Sequence, residues 1–213
     1  MSNPNDPSPY NPLDKANLAR SVADQLLAKI PEPLGKITPF LGAGVYAIYY
    51  NGDFVEYASV AKSNTQGDFL VPIYVGKAIP KGGRIGVIDA DAKPGLVLYN
   101  RLREHAESVA QAQNLSLEDF WCRYLVVDDI WVPLTESMLI NTHRPIWNVS
   151  LSGFGNHDPG RGRYGQKRSP WDTVHPGRTW AVRCADYPLS AEQILTELHK
   201  HHAVTEPQDE EIQ

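Results

Sequence analysis

Residues 42–50 read GAGVYAIYY and residues 71–78 read VPIYVGKA. Both runs are short, rich in β-branched and aromatic side chains, and bordered by glycine or proline, which predicts two strands. Asn51-Gly52 follows the first run directly. That dipeptide is the strongest short hairpin signal, so DFVEY (53–57) reads as strand-like return chain.

Working outward, FWCRYLVV (120–127) reads as a further strand, and a helix spans about Leu96 to Gln111 with Leu98, Leu102, Ala106 and Val109 as its apolar stripe. A short helix around 134–142 stops before Pro145, and Leu18, Val22, Leu26, Leu27 and Ile30 form a helical stripe over 14–30 that Pro31 terminates. The order strand, strand, helix, strand, helix describes an α+β domain with a small three-stranded mixed or antiparallel sheet flanked by helices. The expected organisation is a disordered Pro/Asn/Ser-rich start (1–13), an N-terminal helix and linker (14–40), a core (41–150), a basic arm (151–188), and a last helix with an acidic tail (189–213).

A chain of 213 residues with 42% hydrophobic and 21% charged content fits one domain with insertions. No run reaches the ~18 apolar residues of a membrane span, and the first residues lack the basic and apolar regions of a signal peptide, so the expected location is cytoplasmic, with no membrane partner. Cys122 and Cys184 are the only cysteines, and without a CxxC they indicate neither a disulfide framework nor a zinc site.

The formal net charge of −5 argues against a nucleic-acid partner, but the average hides an asymmetry. Between Arg144 and Arg183 lie seven basic residues against Asp158 and Asp172, a local net of +5, while the tail EPQDEEIQ holds four acids and no base. Local sign decides whether a polyanion is steered into a groove. Residues 150–180 are irregular and glycine-rich, with Phe154, Tyr164, Trp171 and Trp180 interspersed among the bases. Four rings argue against simple disorder and for an ordered recognition arm.

Helix faces single out candidate chemistry. Arg101 and His105 lie one turn apart and flank the buried stripe, an expensive placement unless they face an anion or a charged partner. The bland alternative pairs Arg101 with Asp128 or Asp129. Glu136 has Leu139 and Ile140 on its own side, so its carboxylate needs a cation, either a base such as Arg101 or a divalent metal. On strand chemistry alone Tyr46 and Tyr74 are packing residues.

GVY (44–46), YVG (74–76), NRLREH (100–105) and TES (135–137) together resemble, in content and order, the motifs of the GIY-YIG nucleases. RPIWN (144–148), GFGNH (153–157), WDTVHPGR (171–178) and the stretch from Trp180 to Cys184 resemble the subgroup of type II restriction enzymes that cut CCGCGG. The likeness covers roughly residues 42–184, with Val in place of the family's Ile in both tripeptides.

The resemblance implies a GIY-YIG fold and a site made of Tyr46, Tyr74, Arg101, His105, Glu136 and Asn148. It implies Tyr46 as general base or water-positioning group, tuned by His105, Lys77 or Arg101, with Arg101 stabilising the transition state. Glu136 would hold one Mg²⁺, for which Mn²⁺ can substitute, and Tyr74 and Asn148 would give supporting hydrogen bonds. The expected substrate is double-stranded DNA, cut by a homodimer whose symmetry matches a palindrome. Arg161, Arg163, Lys167, Arg168 and Arg178 are the candidate readers of guanine, and a DNA methyltransferase of the same specificity is the expected functional partner in a bacterial restriction system.

Rival readings are weaker. Asp89, Asp91 and Lys93 mimic a PD-(D/E)xK site but in a Gly/Pro-flanked loop, and Asn156 and His157 lack the companion ligands of a ββα-metal nuclease. A glycine-rich nucleotide site at Gly153 has no strand leading into it. A DNA-binding protein without cleavage, or a repair or homing nuclease of the same superfamily, are the remaining alternatives. A pure binder has no reason to keep Tyr46, Arg101 and Glu136 together.

Overall fold

The computed structural model describes residues 11, 13–65, 67–80 and 95–205. Gly44–Tyr50 forms β2, whose seven residues are all buried because both faces of the strand are covered. Tyr46, Ile48 and Tyr50 enter one core layer, and Val45, Ala47 and Tyr49 enter the other. β2 pairs antiparallel with β3 (Pro72–Ala78) on one side and β4 (Phe120–Val126) on the other. The expected sheet gains a fourth member, β1 (Glu32–Pro33), which pairs with Cys122 and Trp121 on the outer edge of β4. The order is β1-β4-β2-β3, antiparallel throughout.

On the Tyr46 face pack α3 (Val97–Gln111), α5 (Ile146–Val149), α6 (Pro170–Val174) and α7 (Ala191–Thr205). On the Val45 face pack α1 (Lys15–Leu27) and α4 (Val132–His143). The stripe predicted for α3 is buried as expected, with His105 added to it. The arrangement is a helix–sheet–helix sandwich in which β3 is an edge strand among the described residues.

One expectation is corrected. Asn51-Gly52 starts no hairpin. The Asn51 N–H donates to the Asp119 carbonyl, 3.1 Å away, and the chain turns through a 3-10 turn at Val55–Tyr57 into α2 (Ala58–Asn64). Burial of Tyr57 outweighs the local turn preference, because a return strand alternating with Phe54 would not carry that ring into the core. Residues 151–188, expected as an ordered basic arm, are rooted in the fold. Leu151, Phe154, Trp171 and Val174 belong to the core on the Tyr46 face.

His175 helps to anchor this segment. Its Nε2 lies 2.5 Å from the Tyr57 hydroxyl, which also accepts the Trp147 indole N–H at 2.9 Å. Nδ1 lies 2.9 Å from Asn114 Oδ1. Burial lowers the His175 pKa to about 3 and raises that of Tyr57, so a phenol donates to a neutral imidazole. The expected disorder at the N-terminus falls almost wholly on residues outside those described, as do the connection at 81–94 with Asp89, Asp91 and Lys93, and the acidic tail from 206.

Candidate active site

The two tyrosine/glycine tripeptides meet in the sheet. Tyr46 stands opposite Gly76 across the β2–β3 ladder, and a Cβ on Gly76 would run into the Tyr46 hydroxyl. The glycine of the second tripeptide is therefore the space that the tyrosine of the first occupies. Tyr74, diagonal to it on the same face, has its ring 6.2 Å from that of Tyr46.

The Tyr46 hydroxyl lies 2.6 Å from Nε2 of His105, which α3 carries to the underside of the sheet. Both side chains are buried, Tyr46 at 0% exposure and His105 at 1%. Burial first, then Tyr74, pushes the Tyr46 pKa well above the ordinary phenol value, against the pull of Arg101. Burial first, then Arg101, holds His105 well below the ordinary imidazole value. The resting pair is thus a phenol donating to a neutral ring, with the proton on Nδ1. Arg101 pulls the Tyr46 pKa down, in the expected direction, but desolvation is larger.

Arg101, one turn before His105, is partly buried and donates to three acceptors: Glu104 at 3.1 Å, Nε2 of His157 at 2.7 Å and the Gly155 carbonyl at 2.7 Å. Neither Asp128 nor Asp129 is its partner. Glu136 on α4 pairs instead with Lys77 of β3, Nζ to Oε2 at 2.7 Å, with side-chain exposures of 37% for the lysine and 18% for the glutamate. The cation that Glu136 was expected to need is, in the protein alone, Lys77. Asn148 clamps the outer edge of β3, since its Oδ1 accepts the Val75 N–H and its Nδ2 donates to the Val75 carbonyl, both at 2.8 Å. Tyr46, Tyr74, His105 and Arg101 form one cluster. Glu136 of α4 and Asn148 of α5 hold β3, the strand that supplies Tyr74, through Lys77 and the Val75 backbone.

Among the described residues no group of three or more His, Cys, Asp or Glu side chains gathers. Glu136 offers one carboxylate, a donor that suits a hard divalent cation completed by water and phosphate.

Two site residues escape sequence reasoning. The Phe154 ring stacks on His105 at 4.5 Å and 19°, and His157 contacts Arg101. Rings and glycines packed into an irregular loop were the available signal, but they did not say which helix the loop would reach. His157 is no metal ligand in this arrangement, because Arg101 approaches both of its ring nitrogens, at 3.3 and 2.7 Å.

The basic segment divides. Arg161, Arg163 and Lys167 are exposed, whereas Arg168 is partly buried with Nη2 2.7 Å from Asp186. Arg178 is 1% exposed and bound to Asp172, so it is removed from the set of guanine readers. A side chain already engaged in the core cannot also reach a groove of DNA.

Comparison with protein families matches residues 38–202 to the family described as the Eco29kI GIY-YIG domain. No curated protein matches the chain. The matched span runs from the loop before β2 into α7, and so covers every site residue named above.

Proposed function

Because the chain belongs to the Eco29kI GIY-YIG family of restriction-type nucleases, we propose that it is a Mg²⁺-dependent type II endonuclease cutting double-stranded DNA at a GC-rich palindrome, CCGCGG. The observation that carries the reading is the Tyr46–His105 bond, 2.6 Å long, one helical turn from the Arg101 guanidinium. Hydrolysis of a phosphodiester needs a base for the attacking water and positive charge at the phosphate oxygens. Tyr46 serves as that base by relay: it takes a proton from water while passing its own to Nε2 of His105, whose lone pair already faces the phenol, and the negative charge of the bound phosphate offsets the burial that otherwise disfavours the imidazolium. No free phenolate is then required.

Arg101 turns its planar fork from Glu104 and His157 toward the non-bridging oxygens. Tyr74 completes the face on which the phosphate sits, and Asn148 keeps β3 in register. Glu136 would hold the metal, with Lys77 giving way or sharing the charge, and a divalent cation there would supply positive charge beside the phosphate. A homodimer supplies one such site per strand. Arg161, Arg163 and Lys167 are exposed and free to meet guanine edges or phosphates, and Arg168 joins them if it leaves Asp186. Self-protection calls for a methyltransferase of the same specificity.

The test incubates the purified chain with plasmid carrying CCGCGG, with and without Mg²⁺, beside Tyr46→Phe, Arg101→Ala and Glu136→Ala. Discrete fragments that require Mg²⁺ and vanish in all three variants are expected. Unchanged cutting by Arg101→Ala and Glu136→Ala would sink the mechanism, and specific binding with no cutting in any metal would make the protein a binder.

A further inference from the structure

Arg178 is a guanidinium that meets no solvent. It lies between the rings of Trp171 and Trp180, 4.6 and 4.7 Å from their centroids. Its Nε and Nη2 donate to the Asp172 carboxylate at 2.6 and 2.8 Å, and Ser169 Oγ donates to the same carboxylate at 2.6 Å. The remaining donors gather backbone: Nη1 reaches the carbonyls of Phe154 at 3.0 Å and Asn156 at 3.3 Å, and Nη2 reaches that of Gly153 at 2.9 Å.

All three carbonyls belong to the loop whose other atoms enter the active site. Phe154 stacks on His105, the Gly155 carbonyl accepts from Arg101, and His157 accepts from Arg101. A Cβ on Gly155 would approach the Tyr74 hydroxyl to 2.6 Å, so this loop is pressed directly on the reacting face. A buried ion pair adds little net stability over well-packed apolar side chains, whereas a rigid planar fork fixes the geometry of every acceptor it binds.

We infer that Arg178, held by Asp172, is a positioning residue for DNA cleavage: it sets the 153–157 loop so that Phe154 and Gly155 hold His105 and Arg101 in working geometry. The inference rests on the reading of the Tyr46–His105–Arg101 cluster as the cleavage site. It also explains why this basic residue is buried in a segment whose other bases are mostly exposed.

Arg178→Lys keeps the positive charge beside Asp172 but cannot reach three carbonyls at once. In the full chain it is expected to lower kcat on duplex DNA at least tenfold, with KM and metal-free DNA affinity changing less than threefold. The His105 imidazole resonances, shielded by the Phe154 ring, are expected to move downfield. A role in stability alone would lower Tm and leave kcat of the folded protein and the His105 resonances in place. Full kcat in folded Arg178→Lys overturns the inference, as does a loss of kcat with His105 unmoved. If Arg178→Lys does not fold, Asp172→Asn keeps size and the Ser169 bond while loosening the same hub, and the same two readouts apply. Wild type and Arg101→Ala run alongside. An inert wild type, or an Arg101→Ala that cuts normally, removes the premise and this inference with it. Arg178→Lys at full rate beside an inactive Arg101→Ala overturns the positioning role alone.

Discussion

At the scale of single residues, the site depends on what is missing as much as on what is present. Gly76 has no Cβ where the Tyr46 hydroxyl lies, and that hydroxyl is tied to His105. Gly76→Ala has an ordinary strand backbone but no room, so the phenol must swing off His105 or the strands must part. We expect a cleavage rate at least a hundredfold lower and a loss of about 1–3 kcal/mol of stability, the usual range for overpacking, read by single-turnover cutting and urea melts. A rate within threefold of wild type would show that Tyr46 need not be held there. Arg101, His105 and Glu136 were legible in the sequence because helical periodicity set each at the edge of an apolar stripe. The partners they take were not. Lys77 for Glu136 and Gly155 for Arg101 come from separate elements, and no local pattern measures the distance between elements.

At the scale of elements, β3 is an edge strand whose backbone is clamped by Asn148, a side chain from α5. Both hydrogen bonds of Asn148 go to the backbone of Val75, beside Tyr74 and Gly76. Asn148→Ala is expected to cost about 1–3 kcal/mol for two lost bonds and to slow cleavage by loosening the strand that carries Tyr74. Asn148→Asp keeps the acceptor but sets a carboxylate against the Val75 carbonyl, and is expected to be no better. Hydrogen exchange at Val75 checks both: protection unchanged in Asn148→Ala would refute the clamp. Strands and long helices were readable from period and composition, with ends displaced by a few residues. The failed hairpin at Asn51-Gly52 shows the limit, since a turn preference is small beside the burial of the Tyr57 ring.

At the scale of the whole molecule, two buried neutral imidazoles tie stability to pH. An unfolded histidine takes up a proton near ~6.5, whereas folded His175 resists protonation down to about 3 and folded His105 is also held low. Above ~6.5 neither state is protonated and the contribution is full. As pH falls below that value only the unfolded chain binds protons, so stability declines by up to about 1.4 kcal/mol per unit for each histidine. Urea unfolding at pH 7, 6 and 5 is expected to show a steep decline from pH 6 to 5 that becomes shallower in His175→Gln. An equal slope in that variant would mean His175 is accessible. Global composition was a poor guide at this scale. A net charge of −5 concealed the basic segment, and local charge in turn overstated it, because Arg178 and Arg168 are engaged within the fold.

The chain holds the same chemical couple twice, a phenol on a neutral imidazole, as Tyr46–His105 and as Tyr57–His175. In the second couple every valence is satisfied: Trp147 fills the phenol oxygen and Asn114 the far ring nitrogen. In the first, the phenol looks toward a guanidinium that an incoming phosphate can draw away. The protein thus carries its own negative control. A tyrosine and a histidine at bonding distance are inert furniture until their neighbours leave them something to exchange, and grafting Tyr46 and His105 alone onto another scaffold would reproduce Tyr57 and His175, not a nuclease.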